Sequence, residues 1–221
     1  MIHKIEKKSL EIWYQLLGMV QTNCYLIVDK DSRAAVLVDP ADECPAIVQM
    51  AEEAKAQIKG ILLTHGHFDH MTAAREAAES FHTQIYACEA EKELLADERM
   101  NCSYMGLKRL TLEADVWLKD GEELTFGALS VKAISTPGHT KGGMCYYFAD
   151  CDVLISGDTL FFETVGRTDF PTGSSSAITE SINKKLMVLP EDTLVLPGHG
   201  SQTTIGYEKR NNPCLNDNIW E

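Results

Sequence analysis

Three imidazoles and one carboxylate lie within six consecutive positions, at His65, His67, Asp69 and His70. Imidazole nitrogens and carboxylate oxygens are common protein ligands of zinc and of non-haem iron. Residues 61–63, directly before this cluster, are apolar and strand-like, and the residues after it are rich in helix formers. The sequence therefore predicts a metal site at the turn between a buried strand and a helix.

Three later turns repeat this arrangement with one polar residue each. Each turn follows an apolar, strand-like run and contains glycine, and the polar residues are His139, Asp158 and His199. A strand end is rigid and a turn is accessible, so these side chains are suited to a functional site. His3 and His82 lie outside these turns and are interpreted as ordinary surface or core histidines.

The spacing of the cluster predicts two neighbouring ion sites. In an extended turn, positions i and i+2 point the same way, so His65 and His67 could bind one ion together. His139 would add a third imidazole to this ion and would leave one coordination position open for water.

A second ion would be bound by the remaining donors of the cluster, Asp69 and His70, together with His199. A carboxylate can bridge two ions through its two oxygens, and Asp158 is the candidate for this bridge. Ions bridged in this way lie ~3.5–4 Å apart, with a shared hydroxide between them.

Composition limits the class of protein. Of the 221 residues, 44% are hydrophobic and 24% charged, which is ordinary for a globular protein in water. No apolar run reaches the length of about 18 residues that a membrane-spanning helix needs. A net charge of −13 without a basic stripe argues against nucleic acid as a partner. The charged residues 3–8 and seven scattered cysteines predict a cytoplasmic protein with reduced thiols.

The remaining elements predict one α/β domain over residues 1–221, in which helices cover sheets. The clearest elements are two strands of a hairpin (23–29 and 34–39) and three helices (46–55, 69 to about 80, and 174–188). The irregular segment 97–110 either lines a pocket or forms an ordinary packed connection.

The pattern His-x-His-x-Asp-His, followed by a lone His, Asp and His in later strand-end turns, resembles the metallo-β-lactamase superfamily. The resemblance extends over residues 23–213, and every position of the pattern is present. The predicted ligands are His65, His67, Asp69, His70, His139, Asp158 and His199. The resemblance implies an αββα fold, a four-layer α/β sandwich with the metal site at one edge between the two sheets.

Ligand identity distinguishes branches of this superfamily. A cysteine in place of Asp158 would resemble the zinc β-lactamases, and an acidic residue in place of His67 would resemble the oxygen-reducing di-iron proteins. The nucleic-acid-processing branches carry a large inserted domain, for which 221 residues leave no room. Residues 157–171 and 208–213 resemble the compact hydrolases related to glyoxalase II. Glyoxalase II itself has a further C-terminal helical domain that helps to bind glutathione, so glutathione recognition stays open here.

The resemblance implies hydrolysis of a small-molecule thioester, hydroxyacylglutathione-like, or of a related ester. One or two divalent ions would lower the pKa of a bound water towards ~7, and the hydroxide would attack the thioester carbonyl. Zinc is the first candidate for the metal, with iron and manganese as alternatives. Asp69 would orient the hydroxide as well as bind metal, and Asp158 would serve catalysis by contacting both ions. Arg167 would position an anionic group of the substrate, unless it forms a structural salt bridge with Asp169.

Two other functions stay open. Persulfide dioxygenases resemble this group, and they bind a single iron through two His and one Asp, which correspond to His65, His139 and Asp158. A metal-bearing scaffold that binds a ligand without turnover is the third hypothesis. The sequence makes no prediction of the oligomeric state.

Overall fold

The computed structural model describes residues 1–106 and 108–216, and within them the chain forms two main β-sheets. The first sheet has seven strands, which lie side by side in chain order. They are β1 (His3–Lys7), β2 (Leu10–Leu17), β3 (Thr22–Asp29), β4 (Ala34–Val38), β5 (Gln57–Leu62), β6 (Ile85–Cys88) and β7 (Val116–Leu118). Strands β1 to β4 pair antiparallel, and β4 to β7 pair parallel.

The hairpin predicted within this sheet is confirmed between β3 and β4. Asp29 closes its turn, because its Oδ1 accepts hydrogen bonds from the backbone N–H and the hydroxyl of Ser32, at 2.8 and 2.6 Å. Arg33 then takes a φ of 59°, and β4 begins at the next residue. The local turn chemistry therefore sets the entry into the strand that leads to the site.

The second sheet has six strands. In spatial order they are β15 (Thr203–Thr204), β14 (Leu194–Pro197), β11 (Val153–Gly157), β10 (Met144–Phe148), β9 (Leu129–Ser135) and β8 (Glu123–Phe126). A small hairpin of β12 (Leu160–Phe161) and β13 (Thr164–Val165) follows β11. Because β9 and β11 both pair antiparallel with β10, and β14 pairs parallel with β11, the carboxyl ends of β9, β11 and β14 share one edge.

Helices cover the outer faces of both sheets. The α-helices are α1 (Cys44–Glu53), α2 (Phe68–Met71), α3 (Ala74–Phe81), α4 (Lys92–Leu95), α5 (Ser175–Ser181), α6 (Ile205–Asn211) and α7 (Pro213–Asn216). Short 3₁₀ turns lie at Glu89–Glu91, Ser103–Met105 and Ala149–Cys151, and a π-helix at Ile182–Leu186 continues α5. In the part of the chain that the structure describes, every helix is too short or too polar to cross a membrane.

The helix predicted from residue 69 to about 80 is divided into α2 and α3. The backbone N–H of Ala73 donates to the carbonyl of Pro40 at 3.0 Å, outside the helix. The contact between segments thus overrides the local helix propensity of this alanine-rich stretch. As a result, the short helix α2 carries Asp69 and His70 as a separate unit.

Three apolar clusters account for the layers. One lies between the sheets and includes Ile27 and Val36 of the first sheet and Tyr146 of the second. The next pairs the other face of the first sheet with α1 and α3, and the third pairs the outer face of the second sheet with α5. Neighbouring residues of β3 alternate between the first two clusters, as a strand buried on both faces requires. The predicted αββα sandwich is confirmed.

Candidate metal centre

The seven predicted ligands come together at the edge where the strands end. The turn after β5 provides His65 and His67 from extended backbone, and α2 begins directly after His67. The turns after β9, β11 and β14 provide the others. The donor atoms form two groups, and within each group all atoms lie within 4.8 Å of one another: the first group is His65, His67 and His139, and the second group is Asp69, His70 and His199. A further set that meets the same limit, His65, His70 and Asp158, overlaps both groups.

The first group is a cluster of three buried imidazoles. His67 Nδ1 lies 2.9 Å from His139 Nε2. The Nε2 of His65 is buried and has no hydrogen-bond partner among the described residues. Because a buried polar atom without a partner is costly, this nitrogen fits a ligand atom of a bound cation.

Hydrogen bonds select the tautomers of these rings. Thr64 donates its hydroxyl to Asp39 Oδ2 at 2.7 Å, so its oxygen accepts from His65 Nδ1 at 3.1 Å. His139 donates from Nδ1 to the carbonyl of Arg167 at 2.7 Å. Both rings therefore present an Nε2 lone pair to the centre, as metal-binding histidines with an anchored second nitrogen do.

The second group has the distances expected around one ion. Asp69 Oδ2 lies 3.2 Å from His199 Nε2 and 3.5 Å from His70 Nε2, and the two imidazole nitrogens are 3.3 Å apart. Ligands bound tetrahedrally at 2.0–2.2 Å would lie about 3.4 Å from one another. The three donor atoms thus surround a space of the right size for a divalent cation.

Asp158 lies between the two groups. Its Oδ2 is 3.6 Å from His139 Nε2 and also 3.6 Å from His199 Nε2, and its Oδ1 is 3.5 Å from His70 Nε2. The close approach requires glycine at Gly198, where a Cβ would collide with Asp158 Oδ1 and the His70 ring. Asp158 is therefore within reach of donors from both groups, and its role as a bridge stays a prediction.

The electrostatic environments of the two groups differ. Burial is the larger cause and the neighbouring imidazoles the smaller one of a pKa that is well below its usual value for His65 and about 3 for His67. Burial likewise lowers the pKa of His139. These three rings are therefore neutral at pH 7, which is the form that binds metal.

Carboxylates dominate the second group. Burial alone would lower the pKa of His70, but Asp69, Asp158 and Asp39 raise it above the usual value. Burial would raise the pKa of Asp69, and His70 and His199 outweigh this and lower it. The concentration of negative charge favours a cation at this position.

Three residues of the site were missed in the sequence. Asp39 accepts from His70 Nδ1 at 2.9 Å in addition to the Thr64 hydroxyl, and Thr22 donates to Asp69 Oδ2 at 3.1 Å. Asp39 directly follows β4, so the strand-end signature that marked the ligands could have identified it. Glu91 is buried and accepts from the backbone N–H groups of Gly66 and Gly142. Thr22 and Glu91 carry no comparable sequence signal.

Arg167, His3 and His82 lie outside the two donor groups. Arg167 lines the cavity above the cluster, and its guanidinium donates two hydrogen bonds to Asp169, each of 2.7 Å, so the salt bridge alternative is observed. His3 stacks on Tyr14, and His82 is exposed at the end of α3. Neither belongs to the donor groups. Segment 97–110 does line the cavity, through Cys102 and Met105.

Two facing sheets between helices, with seven His and Asp donors at their shared edge, define a metalloprotein of the αββα class. A family model described as the metallo-beta-lactamase superfamily matches residues 17–199, and the chain belongs to this superfamily.

One sequence relative and two solved structures are similar to this chain over most of its length. The hydroxyacylglutathione hydrolase GloC of Haemophilus influenzae is 38% identical over 199 residues, which are 89% of this chain and 93% of GloC. The BLEG-1 B3 metallo-β-lactamase has a TM-score of 0.88 at 36% identity, over 92% of this chain and 99% of that chain. TTHA1623 in a di-iron-bound form has a TM-score of 0.79 at 33% identity, over 90% of this chain and 97% of that chain.

Proposed function

We propose that this protein is a metal-dependent thioester hydrolase that acts on a hydroxyacylglutathione-like thioester or a related ester. His65, His67 and His139 would hold one divalent ion, Asp69, His70 and His199 the other, and Asp158 would contact both. Zinc is the first candidate, and iron and manganese are the alternatives, because imidazole and carboxylate ligands suit all three. The name of GloC, a hydrolase with 38% identity, supports this substrate class.

Divalent ions at these positions would lower the pKa of a water towards ~7 and polarise a carbonyl. The reaction forms a C–O bond between this water oxygen and the acyl carbon, and it breaks the C–S bond, whose electron pair leaves with sulfur. Asp69 faces the centre with Oδ2 held by the Thr22 hydroxyl. It can therefore orient the water, whose proton is released to solvent because the lowered pKa of Asp69 makes this carboxylate a weak base. Asp39 and the Arg167 carbonyl keep the imidazoles in the tautomers that the centre needs.

The position of Asp158 between two complete donor groups carries the proposal. A site for a single iron would use His65, His139 and Asp158. Asp69, His70 and His199 would then have no common role in metal binding. Instead these three donors lie 3.2 to 3.5 Å from one another. This arrangement favours two-ion hydrolysis over the dioxygenase alternative.

The test is thiol release from S-lactoylglutathione by metal-loaded protein in the absence of oxygen, together with the metal content per chain. We expect stoichiometric thiol release and up to two ions per chain. A chromogenic β-lactam is included because of the similarity to BLEG-1. β-Lactam turnover far above thioester turnover would contradict the proposal.

The alternatives give distinct results in the same assays. Oxygen consumption with glutathione persulfide and one iron per chain would show the dioxygenase instead. Metal-loaded protein that turns over neither thioesters, esters, β-lactams nor persulfide would support the binding scaffold.

A further inference from the structure

An apolar groove leads directly to the metal centre. The cavity above the ligands has a volume of about 610 Å³, within the range of small-molecule sites. Its floor contains His67, Asp69, His139, Asp158 and His199. Its walls contain the apolar side chains Met19, Val20, Phe68, Met105, Phe161 and Phe170. The walls come from separate segments of the chain, so the apolar lining is a product of the fold rather than of one hydrophobic stretch.

The rim of this groove exposes apolar side chains to water. Met19, Val20 and Met105 are 60%, 46% and 47% exposed. Met19 and Val20 lie in the turn between β2 and β3, and Met105 lies in the segment before β7. Clustered exposed apolar side chains mark surfaces that contact a ligand or partner, and here they adjoin the catalytic donors.

The groove offers little to a negatively charged group. Among its described lining residues, the cationic side chain apart from the histidines is Arg167. Asp169 accepts hydrogen bonds from Nε and Nη2 of the Arg167 guanidinium, each at 2.7 Å, and the guanidinium carbon lies 4.2 Å from the Phe170 ring centre. A substrate carboxylate would meet a cation whose charge Asp169 already balances.

A second cleft adjoins the centre at His199. It has a volume of about 560 Å³ and shares Val20 and His199 with the groove. Neutral hydrogen-bonding side chains, including Gln21, Ser201 and Gln202, line it together with Tyr14, Leu16 and Leu196. A thioester has two substituents, and the groove and the second cleft offer one mainly apolar and one more polar binding region that meet at His199.

We infer that the preferred substrate is a thioester whose acyl group is an uncharged, mainly apolar chain bound along Met19, Val20 and Met105, with the polar thiol part in the second cleft. This inference rests on the proposed thioester hydrolysis. The groove sets specificity through apolar contact area, because each methylene that leaves water adds to the affinity.

The first test compares kcat/KM of the metal-loaded protein for N-acetylcysteamine thioesters that differ only in the acyl group. From acetyl to hexanoyl, kcat/KM should rise about 2- to 4-fold per methylene. The succinyl thioester should fall at least about 10-fold below the butanoyl thioester, since its carboxylate must be desolvated. No increase with chain length, or a preference for succinyl, would overturn the inference while thioester hydrolysis itself stands. Failure to release thiol from any thioester would instead refute the proposed function.

Two variants test whether the acyl chain binds in this groove. In Met19→Gln/Val20→Thr the increase of kcat/KM with chain length should be at least halved, because both changes keep side-chain size and add polarity at exposed positions. Val188→Thr is the matched control, since Val188 is 71% exposed and lines a different cleft with Lys132 and Lys185. It should keep the wild-type dependence. An unchanged dependence in the double variant, with metal content and thermal stability retained, would contradict the assignment of the acyl chain to this groove.

Discussion

Single residues outside the ligand set decide which imidazole nitrogens face the centre. Asp39 is the clearest case, because its Oδ2 accepts from both the Thr64 hydroxyl and His70 Nδ1, while its Oδ1 accepts from the Thr64 backbone N–H at 2.8 Å. It has a φ of 49° directly before Pro40, an uncommon conformation for a residue other than glycine. Such strain persists where the surroundings hold it, and here it aims one carboxylate at two histidine networks.

Asp39→Asn should weaken metal binding about 10- to 100-fold. Asparagine tolerates a positive φ but replaces one acceptor oxygen with an NH₂ group, which would face a donor. Metal affinity is measured by competition with a chelator. Asp31→Asn, on the exposed β3–β4 turn, is the control and should bind metal as the wild type does. Equal affinity in the two variants would show that Asp39 does not orient the ligands.

Asp158→Ala should lower activity at least about 100-fold and also reduce the metal content, because the carboxylate adjoins both donor groups. Thiol release and metal per chain are measured on the same preparation. His82→Ala should leave both near wild type. Full turnover by Asp158→Ala would refute the shared site.

At the scale of elements, a buried carboxylate joins two ligand loops. Glu91 Oε2 accepts from the N–H of Gly66 at 2.9 Å, and its Oε1 accepts from Gly142 at 2.6 Å. Gly66 separates His65 from His67, and Gly142 follows the turn that carries His139. The 3₁₀ turn with Glu91 therefore fixes a loop of the first sheet against a loop of the second.

Glu91→Gln should lower the free energy of unfolding of the metal-free protein by about 1–3 kcal/mol. Glutamine keeps the size of the side chain but has one oxygen, so its NH₂ group would face a backbone N–H. Urea denaturation measures the change, and Glu89→Gln, at an exposed position of the same turn, should have little effect. Similar losses in both variants would argue against the loop connection.

Glu11 of β2 has a negative charge whose contribution to the free energy of unfolding depends on pH. Partial burial would raise the pKa of Glu11, but Arg33, Lys4 and Trp13 outweigh it and lower the pKa from 4.5 to about 2. The ionised form therefore stabilises the fold above pH 4.5, and this contribution disappears as the pH falls to about 2.

Glu11→Gln should destabilise the protein by about 1 kcal/mol at pH 7, and the difference from wild type should vanish near pH 2. Urea denaturation across this range measures it, with Glu52→Gln on the exposed side of α1 as a control. A difference that stays constant with pH would exclude the ion pairs as its cause.

For the whole molecule, the centre connects the two halves of the sandwich. One half supplies four donors in the turn after β5 and in α2, and the other supplies His139, Asp158 and His199. Bound ions would therefore bridge the sheets and would also reduce the repulsion within a chain of net charge −13.

Removal of metal with a chelator should lower Tm by roughly 5–11 °C relative to protein with free metal at about 100 times Kd. Differential scanning calorimetry measures the shift, and restored metal should reverse it. Asp158→Ala should show a smaller shift. A Tm that does not respond to metal would contradict a site that bridges the sheets.

The sequence by itself determined the donor types, their order and their place at strand ends, since these follow from hydrophobic periodicity and local turn chemistry. That information was enough for an α/β domain and for the seven candidate ligands, and the resemblance to the metallo-β-lactamase superfamily implied the αββα class. The sequence also predicted the hairpin of β3 and β4, where Asp29 and Ser32 form a local turn.

Only the tertiary structure decided which residues that are distant in the sequence come into contact. The separation of α2 from α3 depends on a hydrogen bond to Pro40, and the roles of Asp39 and Glu91 depend on contacts with residues 25 to 51 positions away. The apolar groove likewise forms when Met19 and Met105 meet above the ligands. Spacing along the chain fixes local geometry alone, whereas these contacts arise when two buried sheet faces pack and bring their strand ends to one edge.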